Sequence, residues 1–255
     1  MTELIILGCG SSVGSPWITN YWGNCDKKNK LNLRTRCSAL IKKNNLNILI
    51  DTSPDIKKQL LDNKIDNVDY VLYTHEHADQ TNGLFELRPF FWKNKNKIDV
   101  YASKKALNEI KRKHDYCFFG GNGYLPIVKG NNVKKKITLK KKNDILKINT
   151  FQVKHGPVEC TAYVFDKTAY ISDCNEIYSK DYNKLKGLKY LVIDCLKFNH
   201  HPSHFNLSNA LTVSKLINPK KTILTNLHTD LDYRYLRKNL PSNIIPAHDG
   251  MRLKI

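Results

Sequence analysis

Apolar residues in this chain gather in short, almost unbroken runs. Leu4-Ile5-Ile6-Leu7, Ser38-Ala39-Leu40-Ile41, Leu46-Asn47-Ile48-Leu49-Ile50, Tyr70-Val71-Leu72-Tyr73, Ile148 to Val153, Ala162 to Phe165, Ala169 to Ile171, Leu191 to Ile193 and Thr222-Ile223-Leu224 all fit this description. Runs of this length bounded by Gly, Asn, Asp or Pro read as buried strands. The second and third form a hairpin around Lys43-Asn44-Asn45. Asp51-Thr52-Ser53-Pro54 reads as a helix start, and the helix should run to about Asp62 with Ile56, Leu60 and Leu61 on one face. Helices are also expected over 84–92, from a Ser103 cap to Lys113, and over 179–186, 207–217 and 232–239, with short strands at 99–101 and around Leu253. Strands come first and mixed βα units follow, in both halves. That order predicts an α+β fold, a four-layer αβ/βα sandwich. No stretch reads as a linker, so residues 1–255 are expected to form one domain.

Two stretches fall outside the pattern. Gly8-Cys9-Gly10-Ser11-Ser12-Val13-Gly14 has glycines spaced for a tight turn and close backbone approach to a ligand. It is no phosphate-binding P-loop, because no Gly-Lys-Ser/Thr follows, and no dinucleotide fingerprint, because Ser15-Pro16-Trp17 does not open a helix. A loop of about twenty residues with Trp17, Tyr21 and Trp22 comes next, a length that usually carries function. Residues 114–147 admit two readings. The aromatics and glycines from Tyr116 to Tyr124 form a lid over a site, or the segment is a surface hairpin with solvated lysines at 134–136 and 140–142.

Composition narrows the class. A chain of 255 residues can bury a sizeable core. No apolar run approaches the ~20 residues of a membrane span, and Met1 to Gly8 reads as a first strand rather than a signal peptide. Seven cysteines, an odd number without a Cys-x-x-Cys pair, argue against a disulfide framework and fit a reducing compartment. A cytoplasmic protein without membrane contact is the expectation. The net charge of +19 has two readings: a basic surface for a phosphate-bearing substrate such as RNA, or the codon bias of an AT-rich genome. Lysines outnumber arginines about five to one, and nucleic-acid surfaces draw on Arg as well as Lys, which favours the second.

The chemistry concentrates at strand ends. His75-Glu76-His77-Ala78-Asp79-Gln80 follows the run at 70–73, and two histidines and a carboxylate in five residues is a metal-ligand density that packing does not ask for. His155 ends the strand at 148–154 and Asp173 follows the one at 169–171, so ligands from three strand ends would meet at one sheet edge. His200-His201-Pro202-Ser203-His204 offers a general acid or a phosphate clamp. His228 follows the strand ending Leu224-Thr225-Asn226-Leu227, while His114 and His248 read as structural or surface residues.

The order His-x-His-x-Asp at 75–79, then His155-Gly156, then Ser172-Asp173, then Leu224-Thr225-Asn226-Leu227-His228 resembles the metallo-β-lactamase-fold hydrolases. The likeness runs from Leu7-Gly8-Cys9-Gly10 to His248-Asp249-Gly250. Leu7-Gly8-Cys9-Gly10, His204-Phe205-Asn206-Leu207 and Asp249-Gly250-Met251 look most like the group of the phosphoribosyl cyclic-phosphate phosphodiesterase, with the tRNA-processing endonucleases as cousins. The resemblance implies a one- or two-metal site on an αββα sandwich. Its first ion, Zn²⁺ or Mn²⁺, would take His75, His77 and His155. Asp173 would bridge two ions, Asp79 would bind the second and hold the attacking water, and His204 would protonate the leaving oxygen.

Two positions depart from the family pattern. Gln80 and Asn226 stand where it has histidines, and both missing imidazoles belong to the second ion. His228 could replace one only if its loop curls inward. Only Cys25 stands where the group carries a cysteine-bound structural zinc. The implied activity is hydrolysis of a small cyclic phosphate or nucleotide-like phosphodiester by a metal-bound hydroxide. A degenerate, non-catalytic member that binds a nucleotide or a partner, and an RNA-processing nuclease, are the alternatives. A homodimer is compatible with the sequence.

Overall fold

Leu4 and Ile6 point into one buried cluster, Ile5 and Leu7 into another, so the first strand shows no polar alternation. The computed structural model describes residues 1–255 as two seven-stranded sheets stacked face to face. The first sheet contains β1 (Thr2–Gly8), β2 (Ser38–Lys43), β3 (Leu46–Ile50), β4 (Tyr70–Leu72), β5 (Ile98–Ala102), β6 (Val128–Asn132) and, from the chain's end, β14 (Met251–Lys254), in the order β14-β1-β2-β3-β4-β5-β6. The second contains β7 (Lys136–Lys141), β8 (Asp144–His155), β9 (Val158–Phe165), β10 (Thr168–Ile171), β11 (Tyr190–Asp194), β12 (Lys221–Thr225) and β13 (Ile244–Pro246), in the order β13-β12-β11-β10-β9-β8-β7.

The helices are α1 (Ile56–Asp62), α2 (Ala78–Thr81), α3 (Arg88–Asn94), α4 (Lys104–Lys113), α5 (Asp115–Phe119), α6 (Leu207–Ile217) and α7 (Tyr233–Asn239). Ile56 and Leu60 of α1 and Ala106, Leu107 and Ile110 of α4 cover the outer face of the first sheet, and Ala210 and Val213 of α6 and Leu236 of α7 cover that of the second. Between the sheets lie Leu4, Ile6, Ile41, Ile48, Tyr163, Phe165, Tyr170 and Val192. The expected four layers are therefore present. β3 to β6 run parallel, as do β10 to β13, and the remaining neighbours pair antiparallel. Loops after parallel strands all leave one edge, where ligands of such sheets bind.

Some expectations needed correction. The helix expected over 84–92 divides into a 3₁₀ turn, Leu84–Leu87, and α3, with Pro89 in its first turn. Residues 179–185 also form a 3₁₀ helix. β6 (VKGNN) and β13 (IIP) show no usable periodicity and form because a parallel neighbour supplies their hydrogen bonds. The lysines of 134–142 lie on and around the β7–β8 hairpin, as the surface reading had it. Asp51 does not start α1. The helix begins after Asp55, and Asp51 turns inward with a φ of 60°.

The long loop after β1 is tied down by a buried arginine. Arg34 donates to the carbonyls of Leu231 (2.7 Å) and His228 (3.2 Å) and to Asn32 Oδ1 (3.1 Å), and Nη1 lies 3.8 Å from Cys25 Sγ. Guanidinium hydrogen bonds thus hold the loop that carries Cys25. Arg34→Met should orphan these buried acceptors and lower stability by about 2–4 kcal/mol in urea unfolding.

Asp249 ties the same loop to the chain's end. Its carboxylate accepts from Cys9 N (3.1 Å), Thr35 N (2.8 Å) and Thr35 Oγ1 (2.6 Å). Burial pushes its pKa from 3.8 up to about 6, and these hydrogen bonds limit the rise. The folded state thus holds this proton more tightly than the unfolded one. The stability it contributes is complete below about pH 4 and lost as pH rises through about 6. Between pH 5 and 7 the native protein should lose about 1 kcal/mol more stability than Asp249→Asn, read from paired urea curves.

Candidate metal centre

Seven of the polar residues at the loop edge come from strand ends. β3 delivers Asp51, β4 delivers Thr74 and His75, β8 delivers His155, β10 delivers Asp173, β11 delivers Asp194 and β12 delivers Asn226. The two sheets are joined here by Thr161 N to the Thr74 carbonyl (2.8 Å) and Tyr163 Oη to the Tyr73 carbonyl (2.6 Å).

The rings of His75, His77 and His155 form a triangle with centroids 4.4, 5.1 and 5.1 Å apart. Hydrogen bonding assigns the tautomers of His75 and His155. The Thr74 hydroxyl donates to Asp51 Oδ2 (2.9 Å), and Asp51 Oδ1 takes the Thr74 N–H (2.8 Å). With its proton so committed, Thr74 Oγ1 can only accept from His75 Nδ1, 3.0 Å away. His75 Nε2 is left with a free lone pair, and it is buried without a partner. Burial pulls the His75 pKa down to about 3, so the imidazole is neutral. His155 Nδ1 donates to the Ser203 carbonyl (2.7 Å), which frees its Nε2 in the same way. Gly156, at φ 58°, permits this contact, since a Cβ there would stand 2.8 Å from Ser203 Cβ.

These donors fit a divalent ion. The ligand atoms of His75, His77 and His155 lie within 4.8 Å of one another, as do those of His155, Asp173 and His204. His155 Nε2 and His77 Nδ1 are 3.4 Å apart. Two nitrogens on a tetrahedral zinc stand roughly 3.3 Å apart. Asp173 Oδ2 is buried without a partner. Three clustered imidazoles and an unpaired carboxylate oxygen make a cation site.

The other expected residues separate into two groups. Asp79, at the start of α2, lines the same cleft of about 410 Å³ as His77, His155, Asp173 and His204. Burial, then the neighbouring Asp173, raises its pKa from 3.8 to about 6. Gln80 and Asn226 are buried beside these carboxylates. His228 borders the cleft, but its Nδ1 lies 3.3 Å from Asp230 Oδ1 and its ring packs edge-on to Trp17 at 5.6 Å. It belongs to neither donor group, so it does not replace a missing imidazole. The segment 114–124 stays off the cleft walls, which are built by Ser11, Trp17, Lys197 and His201. It lines a separate cleft with Phe85 and Arg88, so the lid reading is set aside.

Asp194 did not emerge from the sequence. Its Oδ2 receives His204 Nδ1 at 2.7 Å and Cys174 N at 2.8 Å. Burial pushes Asp194 up to about 6, with His204 pulling against it. Burial would lower His204, but Asp194 outweighs that and raises it to about 9. The pair is therefore charged at neutral pH, and Nε2–H is the proton His204 has to give.

The sequence pattern of the beta-lactamase superfamily domain matches residues 46–226. An octanoyltransferase of Porphyromonas gingivalis (strain ATCC BAA-308 / W83) is 31% identical over 253 residues, covering 97% of this chain and 50% of that protein. The chain thus spans about half the length of that relative. Among solved structures, a diphosphatase from the PhnP family aligns at 28% identity with a TM-score of 0.89, covering 100% of this chain and 98% of that one. Zn²⁺-bound PqqB from Methylobacterium extorquens aligns at 17% identity and a TM-score of 0.78, covering 99% and 100%. The short form of human tRNase Z aligns at 16% identity and a TM-score of 0.69, covering 99% of each chain. The fold, the donor cluster and the match over residues 46–226 agree: this chain belongs to the beta-lactamase superfamily, with the metallo-β-lactamase fold and a donor cluster that fits a metal ion.

Proposed function

We propose that this protein is a metal-dependent phosphodiesterase acting on a small cyclic phosphate or a nucleotide-like phosphodiester, with Zn²⁺ or Mn²⁺ held by His75, His77, His155 and Asp173. The observation that carries the reading is the Asp194–His204 ion pair beside the donor cluster, in a cleft that also holds Lys197 and His201. A buried imidazolium suits a reaction whose leaving group departs as an alkoxide and needs a proton. The diphosphatase of the PhnP family, aligned over 100% of this chain, supports hydrolysis at phosphorus. The transferase name of the bacterial relative describes a protein of which this chain spans half, and acyl transfer is not carried over.

A divalent ion held by these residues would supply Lewis acidity for a phosphoryl oxygen and lower the pKa of a water to about 7. The chain's own residues do the rest. Lys197 and His201 face the phosphate's non-bridging oxygens. Asp79, with its pKa raised toward neutrality, orients the attacking water and takes its proton. As the new P–O bond forms and the old one breaks, His204 Nε2–H protonates the departing oxygen, and Asp194 holds the ring in place through Nδ1.

The test is a substrate panel. Protein loaded with Zn²⁺ or Mn²⁺ should cleave bis-p-nitrophenyl phosphate and a cyclic phosphate, with little response to 50–200 mM salt. Turnover confined to p-nitrophenyl octanoate or a β-lactam would overturn the proposal. Cleavage confined to RNA, with a steep salt dependence, would move the assignment to a nuclease.

A further inference from the structure

We propose that this protein binds one divalent ion, and that the side-chain amides of Gln80 and Asn226 take, with N–H donors, the carboxylate oxygens a second ion would need. The inference concerns the donor atoms alone and holds for any substrate.

The His75–His77–His155 side offers free lone pairs on His75 Nε2 and His155 Nε2, with His77 Nδ1 3.4 Å from the latter. The opposite side of Asp173 differs at every donor. Its imidazole there, His204, presents Nδ1 as a donor to Asp194 at 2.7 Å, so that nitrogen has no lone pair to offer. His155 has one free nitrogen, and it faces His77. What remains is carboxylate oxygen, and amides cap one oxygen each of Asp79, Asp173 and Asp194. Gln80 Nε2 donates to Asp79 Oδ2 at 3.1 Å. Asn226 Nδ2 stands 3.4 Å from Asp173 Oδ1 and 3.1 Å from Asp194 Oδ1.

The carboxylates also fix which way the amides point. Turning Asn226 over would set its oxygen against two carboxylates with one donor, His204 Nδ1 at 3.1 Å, and turning Gln80 over would set its oxygen against Asp79, although Gln80 Oε1 as placed is buried without a partner. An amide N–H cannot ligate a cation, whereas it neutralises part of the charge on a buried carboxylate. Both residues are buried, so no water can stand in for these donors at low cost. Asn226 sits at φ 61°, in the left-handed region that Asn and His both tolerate. The backbone there would therefore accept a histidine, and the amide is not required by the turn.

The test counts ions. Protein stripped with chelator, reloaded with excess Zn²⁺ and desalted should carry one zinc per chain by elemental analysis, and a Co²⁺ titration should break at one equivalent. The Q80H/N226H double variant should carry two. Two tightly held ions in the native protein, or none, would overturn the proposal. One ion in both proteins would show that these amides do not close the second position, and would overturn it equally. Should the double variant fail to fold by circular dichroism, N226H alone and the native count still decide. Neither result depends on turnover, so loss of the phosphodiesterase reading would leave this one standing.

Discussion

His75→Ala is expected to empty the centre. Bound zinc should fall well below one equivalent per chain, and turnover of bis-p-nitrophenyl phosphate should drop by more than about 100-fold, beyond what loss of an orienting partner alone costs. The reason lies in how completely the fold prepares this nitrogen. His75 is fully buried, neutral and locked by the Asp51–Thr74 relay into the tautomer that presents Nε2. Alanine leaves the relay without a purpose and the ion without its innermost ligand. Thr74→Ala gives the graded companion. The ring stays, but nothing fixes its tautomer or angle, and metal affinity should weaken by about 10–100-fold. Equal metal content in the native protein and both variants would contradict this account of the centre.

His204→Ala should act on the other half of the chemistry. Metal content should stay unchanged, and turnover of a substrate with an alkyl leaving group should fall by roughly 10²–10⁴. The same variant should lose far less on bis-p-nitrophenyl phosphate, because p-nitrophenolate leaves without needing a proton. Asp194→Asn should reproduce the split in milder form, since the amide still reaches His204 Nδ1 but no longer stabilises its charge. A uniform loss on both substrates would assign His204 to binding instead of proton transfer.

His75, His77, His155 and Asp173 stand out in the sequence because each follows an apolar run, polar chemistry at the end of a buried strand has few structural uses, and the fold brings the four together. The family resemblance added His204 and the missing imidazoles at 80 and 226. Asp194 escaped notice because Leu191-Val192-Ile193-Asp194 reads as a strand that simply ends, and its partner lies ten residues on across a turn. Asp51 was misread for a related reason. Before Thr-Ser-Pro it carries a local helix-start signal, while its real partner, Thr74, lies 23 residues away on the neighbouring strand. Local pattern reports local partners. β6 and β13 failed in the same way, because their existence rests on β5 and β12 and not on their own side chains. The two amides are the sharpest case. Sequence marks Gln80 and Asn226 as departures from a pattern, and only the hydrogen-bond geometry says what they do instead.

The central claim is that an ion held by His75, His77, His155 and Asp173 is required for phosphodiester hydrolysis. It is tested most directly by stripping the protein with chelator and following bis-p-nitrophenyl phosphate as Zn²⁺ or Mn²⁺ is returned. The account predicts no turnover in the stripped protein and many turnovers per chain once the ion is restored, with none regained by His75→Ala. Undiminished hydrolysis in the stripped protein, or none at any metal loading, would contradict it.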